Sequence, residues 1–173
     1  MSIRQLLLLA AFVVLTTGAA SPQPGISESM IGVGSHGYDW TVGTWSCINS
    51  MPSRSADPNT TSLLTTTKTA AGALLNRETA KGFDLSAYTA YMAKTKTWWN
   101  PVAFADGSYQ IESTTETGKK IVWTGSFFNA ASGRTTPIRD TFTTWLPAKF
   151  TDLGQSQVNG TWKTQYFITC TRS

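Results

Sequence analysis

Cys47 and Cys170 are the two cysteines of this 173-residue chain, and each stands in a stretch that alternates in character. Cys47 ends the run Asp39-Trp40-Thr41-Val42-Gly43-Thr44-Trp45-Ser46-Cys47, where Gly43, Trp45 and Cys47 share one parity. Near the other end Trp162, Thr164, Tyr166, Ile168 and Cys170 share a parity, and Lys163, Gln165, Phe167, Thr169 and Thr171 take the other. Successive side chains of a strand point to opposite faces, so both thiols fall on the inward face of their strands. A first and a last strand that both turn a thiol inward imply a sheet closed on itself. In an even-stranded up-and-down barrel those two strands are antiparallel neighbours. Cys47 then faces Cys170, Asn49 faces Ile168 and Met51 faces Tyr166. Such a cross-strand pair satisfies the Cα spacing of roughly 4.4–6.8 Å that a disulfide requires. The other possibility is two buried free thiols, each behaving as a small hydrophobe.

The chain between the cysteines is divided by turn chemistry: Asp57-Pro58-Asn59, Ala71-Gly72, Lys81-Gly82, Asp106-Gly107, Thr117-Gly118, Ser132-Gly133 and Asn159-Gly160. Asp-Gly and Asn-Gly are strong hairpin signals because both central residues of the tight turn take positive φ. Strands are expected near 43–52, 60–70, 73–80, 85–94, 97–104, 108–114, 119–128, 136–145, 147–155 and 161–171. Threonine and aromatic residues suit a pleated, half-buried surface, and no stretch from Trp40 onward carries a helical period. The fold class is all-β: a closed antiparallel up-and-down β-barrel of about 8–10 strands.

Residues 1–20 read as a signal peptide. Arg4 precedes an apolar run from Leu6 to Leu15, and Gly18-Ala19-Ala20 puts small residues before a cut after Ala20. The run is too short for a membrane span, so an exported barrel, periplasmic or extracellular, is expected, where two cysteines pair. Residues 21–39 read as a flexible leader, and 40–173 as one barrel domain. The single histidine, His36, lies in Gly34-Ser35-His36-Gly37 with no clustered partner ligands, so a metal site is not expected there. Charged residues are 14% of the chain, against about 25% in an average domain. The formal charge of +4 falls to +3 without Arg4. The lysines are scattered, which excludes a nucleic-acid stripe.

Gly43-Thr44-Trp45 on the first strand resembles the opening of the lipocalin-like (calycin) barrels. The wider pattern includes Tyr88 to Trp99, Asp106-Gly107-Ser108-Tyr109, Val122-Trp123-Thr124-Gly125, Arg139-Asp140-Thr141-Phe142, Trp162-Lys163 and Thr169-Cys170. Over about Trp40 to Cys170 it resembles a group of small exported bacterial lipocalin-like proteins without an assigned activity. The resemblance implies a fold and a secretion route, and no ligand. Biotin-binding barrels share Gly-Thr-Trp, but here Ser46-Cys47-Ile48-Asn49 follows without a matching set of biotin-contacting polar groups. Haem-binding barrels of the nitrobindin kind need a histidine late in the barrel, and this chain has none there.

Interior parity nominates Trp123, Phe127, Trp162 and Tyr166 as a lining for a small, mostly apolar ligand, in a cavity of a few hundred Å³. The first reading of those rings is that they simply fill a packed barrel. Trp45 and Gly43 are assigned to structure at the closed end. Trp98 and Trp99 point to opposite faces, so one of them is expected outside. Asp140 shares parity with Ile138 and Phe142, and reads first as a structural ion pair or a turn-facing edge residue, and otherwise as the candidate polar anchor. A buried carboxylate must be paired or hydrogen-bonded, or its pKa rises. Glu112 and Glu116 flank a turn and read as solvated; Glu78 beside Arg77 reads as a charged strand end. An alternative is a barrel enzyme pairing Asp140 with a tyrosine such as Tyr91 as acid and base. Another is a packed barrel that acts through protein contacts on its outer face. No nucleophile elbow, phosphate loop or metal-ligand spacing appears, and no cofactor is expected.

Overall fold

A computed structural model describes residues 36–51, 59–144 and 148–173. The expected signal peptide, most of the expected leader, the expected Asp57-Pro58 turn and Trp145 lie outside the described residues. Ten strands are present: β1 (Gly43–Ser50), β2 (Asn59–Lys68), β3 (Leu74–Ala80), β4 (Phe83–Met92), β5 (Thr97–Phe104), β6 (Tyr109–Thr114), β7 (Lys120–Asn129), β8 (Arg134–Thr144), β9 (Lys149–Val158) and β10 (Thr161–Arg172). Each pairs with its successor, and β1 pairs with β10, so the sheet is a closed antiparallel barrel. The chain forms hairpins because its turns permit them. At Asn159 and Gly160, φ is 51° and 75°, the double positive that a two-residue turn between β9 and β10 needs.

The seam follows the expected register. Cys47 pairs with Cys170 and Asn49 with Ile168. The ladder ends at Ser50 and Phe167, so the further pair of Met51 with Tyr166 is not formed. Cys47 and Cys170 are joined in a disulfide, with Cα atoms 4.1 Å apart.

One end of the barrel is filled with aromatic rings. His36–Thr41, partly assigned to the leader by composition, forms a 3-10 helix whose Tyr38 is buried against Trp98 and Trp123. The Tyr38 hydroxyl donates to the Glu116 carbonyl at 3.0 Å. Beside it, Trp45 is fully buried, in contact with Trp40 and Phe150 near the disulfide. Its indole N–H donates to the Thr41 carbonyl at 2.7 Å, and the Arg172 guanidinium lies 4.3 Å over its ring. Edge-to-face ring pairs add about 0.5–1.5 kcal/mol each beyond the area they bury. Gly43 has φ 131°, and a side chain there would meet Arg172 Nη1 at 2.6 Å, so the arginine can cover the tryptophan only over a glycine.

Candidate functional site

Above that aromatic floor the lumen becomes polar. On β2 to β5, Thr66 donates to Asn76, Asn76 to Thr89 and Thr89 to Asn100, at 2.8–2.9 Å. This relay satisfies small polar side chains that fill a wide barrel in place of bulky hydrophobes. A second group joins β1, β2 and β3: Asn49 Nδ2 donates to Ser62 Oγ at 3.0 Å and to Glu78 Oε1 at 3.4 Å, and Ser62 donates to the same carboxylate oxygen. Glu78 is therefore buried and hydrogen-bonded, not the solvated strand end that its neighbour Arg77 implied.

The third group is acidic. Glu112 of β6, Asp140 of β8 and Asp152 of β9 are all buried on the inner face. Gln110 Nε2 donates to Glu112 Oε2 at 3.0 Å and to Asp140 Oδ2 at 3.4 Å. The Tyr166 hydroxyl, from β10, hydrogen-bonds Asp140. Two glycines make this packing possible. Gly154 pairs with Asp140 on one side and Tyr166 on the other, and the tyrosine ring lies 2.1 Å from where a Cβ would stand. Gly125 pairs with Glu112, and there a Cβ would meet the Ile111 carbonyl oxygen at 1.9 Å. Among the described residues, no donor lies within hydrogen-bond distance of Glu112 Oε1, Asp152 Oδ1 or Asn49 Oδ1.

Burial is the largest cause that holds these carboxyls above the ordinary range. For Glu112 the charges of Asp140 and then Asp152 add to it, and for Asp152 those of Asp140 and then Glu78. For Asp140, hydrogen bonds from Tyr166, Glu112 and Gln110 offset part of the rise. Such groups keep a proton in the folded state after the unfolded chain has released it near pH 4. Their contribution is fully present below the unfolded value and is lost as pH rises through the folded one. Melting followed by circular dichroism is therefore expected to show a barrel most stable on the acid side, weakening toward alkaline pH. Asp152→Asn removes one of the raised groups. At about pH 8 the variant is expected to be more stable than the parent by on the order of 1–2 kcal/mol, with a flatter pH profile. Equal destabilisation at every pH would show that Asp152 is satisfied in its ionised form.

The site residues expected from the sequence are distributed as follows. Asp140 and Tyr166 meet in the acid group. Trp123 pairs across the ladder with Asp140, but its ring belongs to the aromatic floor with Tyr38. Phe127 lies toward the other end, half-buried and edge-on to Phe104, which is edge-on to Phe83. Trp162 is on the outer face, contrary to its parity. The register of β10 against β9 shifts between Thr164 and Tyr166, leaving Gln165 as an extra residue, and everything before it changes side. Trp162 there faces the Arg139 guanidinium at 4.5 Å, and Arg139 also donates to Gln155. Glu112, expected in solvent, is 2% exposed. Tyr91 packs on Trp98 and is not the tyrosine bonded to Asp140. Trp98 is buried and Trp99 is the exposed member of that pair. Asp152 was missed, although Phe150, Asp152 and Gly154 share a parity that the buried Phe150 marks as internal.

An open groove lies on the outer wall, not in the lumen where a hollow of a few hundred Å³ is expected. The groove, of about 410 Å³, is lined by Leu75, Tyr88, Pro101, Ala103, Tyr109 and Ile111. A niche of about 20 Å³ near Asn49, Met51 and Phe83 lies at the end away from the 3-10 helix. Among the described residues no set of three or more His, Cys, Asp or Glu is placed to hold a metal ion, and no helix is long and apolar enough to cross a membrane. The closed ten-stranded antiparallel barrel is consistent with a calycin-like fold and compatible with ligand binding. Compared with protein-family models and with curated proteins, the chain matches none.

Proposed function

We propose that the chain is an exported lipocalin-like binding protein for a small molecule with a polar head and an apolar body. The observation that carries this reading is the pair of orphaned acceptors, Glu112 Oε1 and Asp152 Oδ1, inside the barrel. A buried acceptor without a donor costs about 1–3 kcal/mol, and native interiors keep few of them without a reason. A bound donor supplies one. The half-buried Phe127 and the buried Ile138 stand one step from Glu112 and Asp140 toward the end away from the helix, with Phe104 edge-on to Phe127 beyond them, where they would carry the apolar part. The disulfide is consistent with export, since it persists in oxidising compartments. A native mass spectrum of protein taken from its own host tests the reading. A small-molecule adduct that is lost on unfolding is expected; bare chain in every preparation would count against it.

The outer-wall groove favours a second reading, a barrel that works through protein contacts. Leu75, Tyr109 and Ile111 are each more than two-fifths exposed there. The same spectrum separates the two, because that barrel would retain a protein partner and no small adduct.

A further inference from the structure

The unsatisfied groups of the lumen's acid cluster share one sign. Glu112, Asp140 and Asp152 enter from β6, β8 and β9, Glu78 acts on Asp152 from β3, and Tyr166 meets them from β10. Gln110 is the side-chain amide that donates to the group. No lysine, arginine or histidine is among the groups that bond or act on Glu112, Asp140 or Asp152. Among the described residues, Lys68 pairs with Asp39 and Arg77 with Asp84 away from the lumen, and Arg139 is outside against Trp162. With its carboxyls ionised, the cluster lacks both hydrogen-bond donors and positive charge. Asp152, 5% exposed and with Oδ1 unpartnered, shows the deficit most plainly. An alcohol would satisfy an acceptor and leave the charge, and an anion would add to it. An ammonium group supplies several N–H donors and the missing charge together, in surroundings where charge-assisted bonds are strong.

We propose that Glu112, Asp140 and Asp152 form the head-group site for a small protonated amine with an apolar body, an assignment that rests on the small-molecule reading above. Room for it comes from Tyr166. Its ring fills the gap above Gly154, beside Asp140; in this proposal the amine displaces that ring, and Ile138, buried two residues from Asp140 on β8, lies on the apolar side. The carboxyls hold protons in the empty barrel, and the amine arrives charged. Binding therefore releases protons to water, and affinity rises with pH as long as the amine stays protonated.

The full chain, titrated calorimetrically with phenethylamine, neutral 2-phenylethanol and anionic phenylacetate, tests the assignment. At about pH 7.5 phenethylamine is expected to bind at least about tenfold more tightly than the alcohol, and to lose that advantage near pH 5. Phenylacetate is expected not to bind. Asp152→Asn and Glu112→Gln should each weaken the amine about tenfold and the alcohol much less, with far-UV circular dichroism and melting showing that the variants are folded. An alcohol that binds as well as the amine at both pH values would overturn the amine assignment and leave the small-molecule reading standing. Failure of every probe, together with an adduct-free native spectrum, would overturn both. Stabilisation by calcium chloride, with none by the amine, would sink the assignment in favour of a metal.

Discussion

Gly125→Ala is expected to be the most damaging single-methyl change in the barrel, lowering stability by more than about 3 kcal/mol. The added carbon would stand 1.9 Å from the Ile111 carbonyl oxygen and 2.8 Å from the Glu112 Cα, both main-chain atoms. No rotamer change relieves such a contact, so β6 and β7 must separate where Glu112 pairs with Gly125. Urea denaturation followed by tryptophan fluorescence measures the loss. Gly154→Ala is the control. There the contact is with the Tyr166 ring, which can turn away, so the loss should be smaller, about 1–3 kcal/mol. It should come with a changed tyrosine signal as the hydroxyl leaves Asp140. A Gly125→Ala protein that unfolds at the parent's urea midpoint would mean that the two strands stand farther apart than described.

Removing the bridge is the second large effect. Cys47 and Cys170 are 123 residues apart in sequence, so the bond constrains most of the barrel in the unfolded state. The chain-entropy relation gives about 4–5 kcal/mol for a loop of that length, near the top of the usual range. The Cys47→Ala, Cys170→Ala double variant is expected to melt well below the parent, and a reducing agent should bring the parent down to the same temperature. Mass analysis of unreduced peptides should find 47 joined to 170. A reduced barrel with unaltered melting would show that the β1–β10 hydrogen bonds hold the seam by themselves.

The framework of the fold was open to reading because it depends on local rules. Turn pairs such as Asn159-Gly160 locate hairpins by the backbone angles they allow, and strand alternation placed both cysteines inside and in register. The site was harder to read because it inverts the rule that apolar side chains face in. On β6, Tyr109 and Ile111 are exposed while Gln110, Glu112 and Thr114 occupy the inner face. A reading that assigns carboxylates to water therefore discards Glu112 and Glu78, although each lies on a patterned strand. Trp162 failed for a different reason. One extra residue at Gln165 reverses the phase of the strand before it, and neither glycine nor proline marks the place. Asp140 was legible because its neighbours Ile138 and Phe142 are apolar and point the same way. Its partner was not, since Tyr166 reaches it across β9 over the bare Gly154, a contact that no spacing along the chain encodes.

The ring of strands has a further implication for how this molecule can meet others. With β1 hydrogen-bonded to both β2 and β10, the sheet has, among the described residues, no unpaired edge onto which a foreign strand could be added, the route by which many sheets recruit peptides or grow into fibrils. Association at the barrel wall therefore runs through side chains, and Leu75, Trp99, Tyr109 and Ile111 are among its exposed apolar residues. Such a surface selects partners by shape and greasiness, and it leaves the main chain out of the bargain.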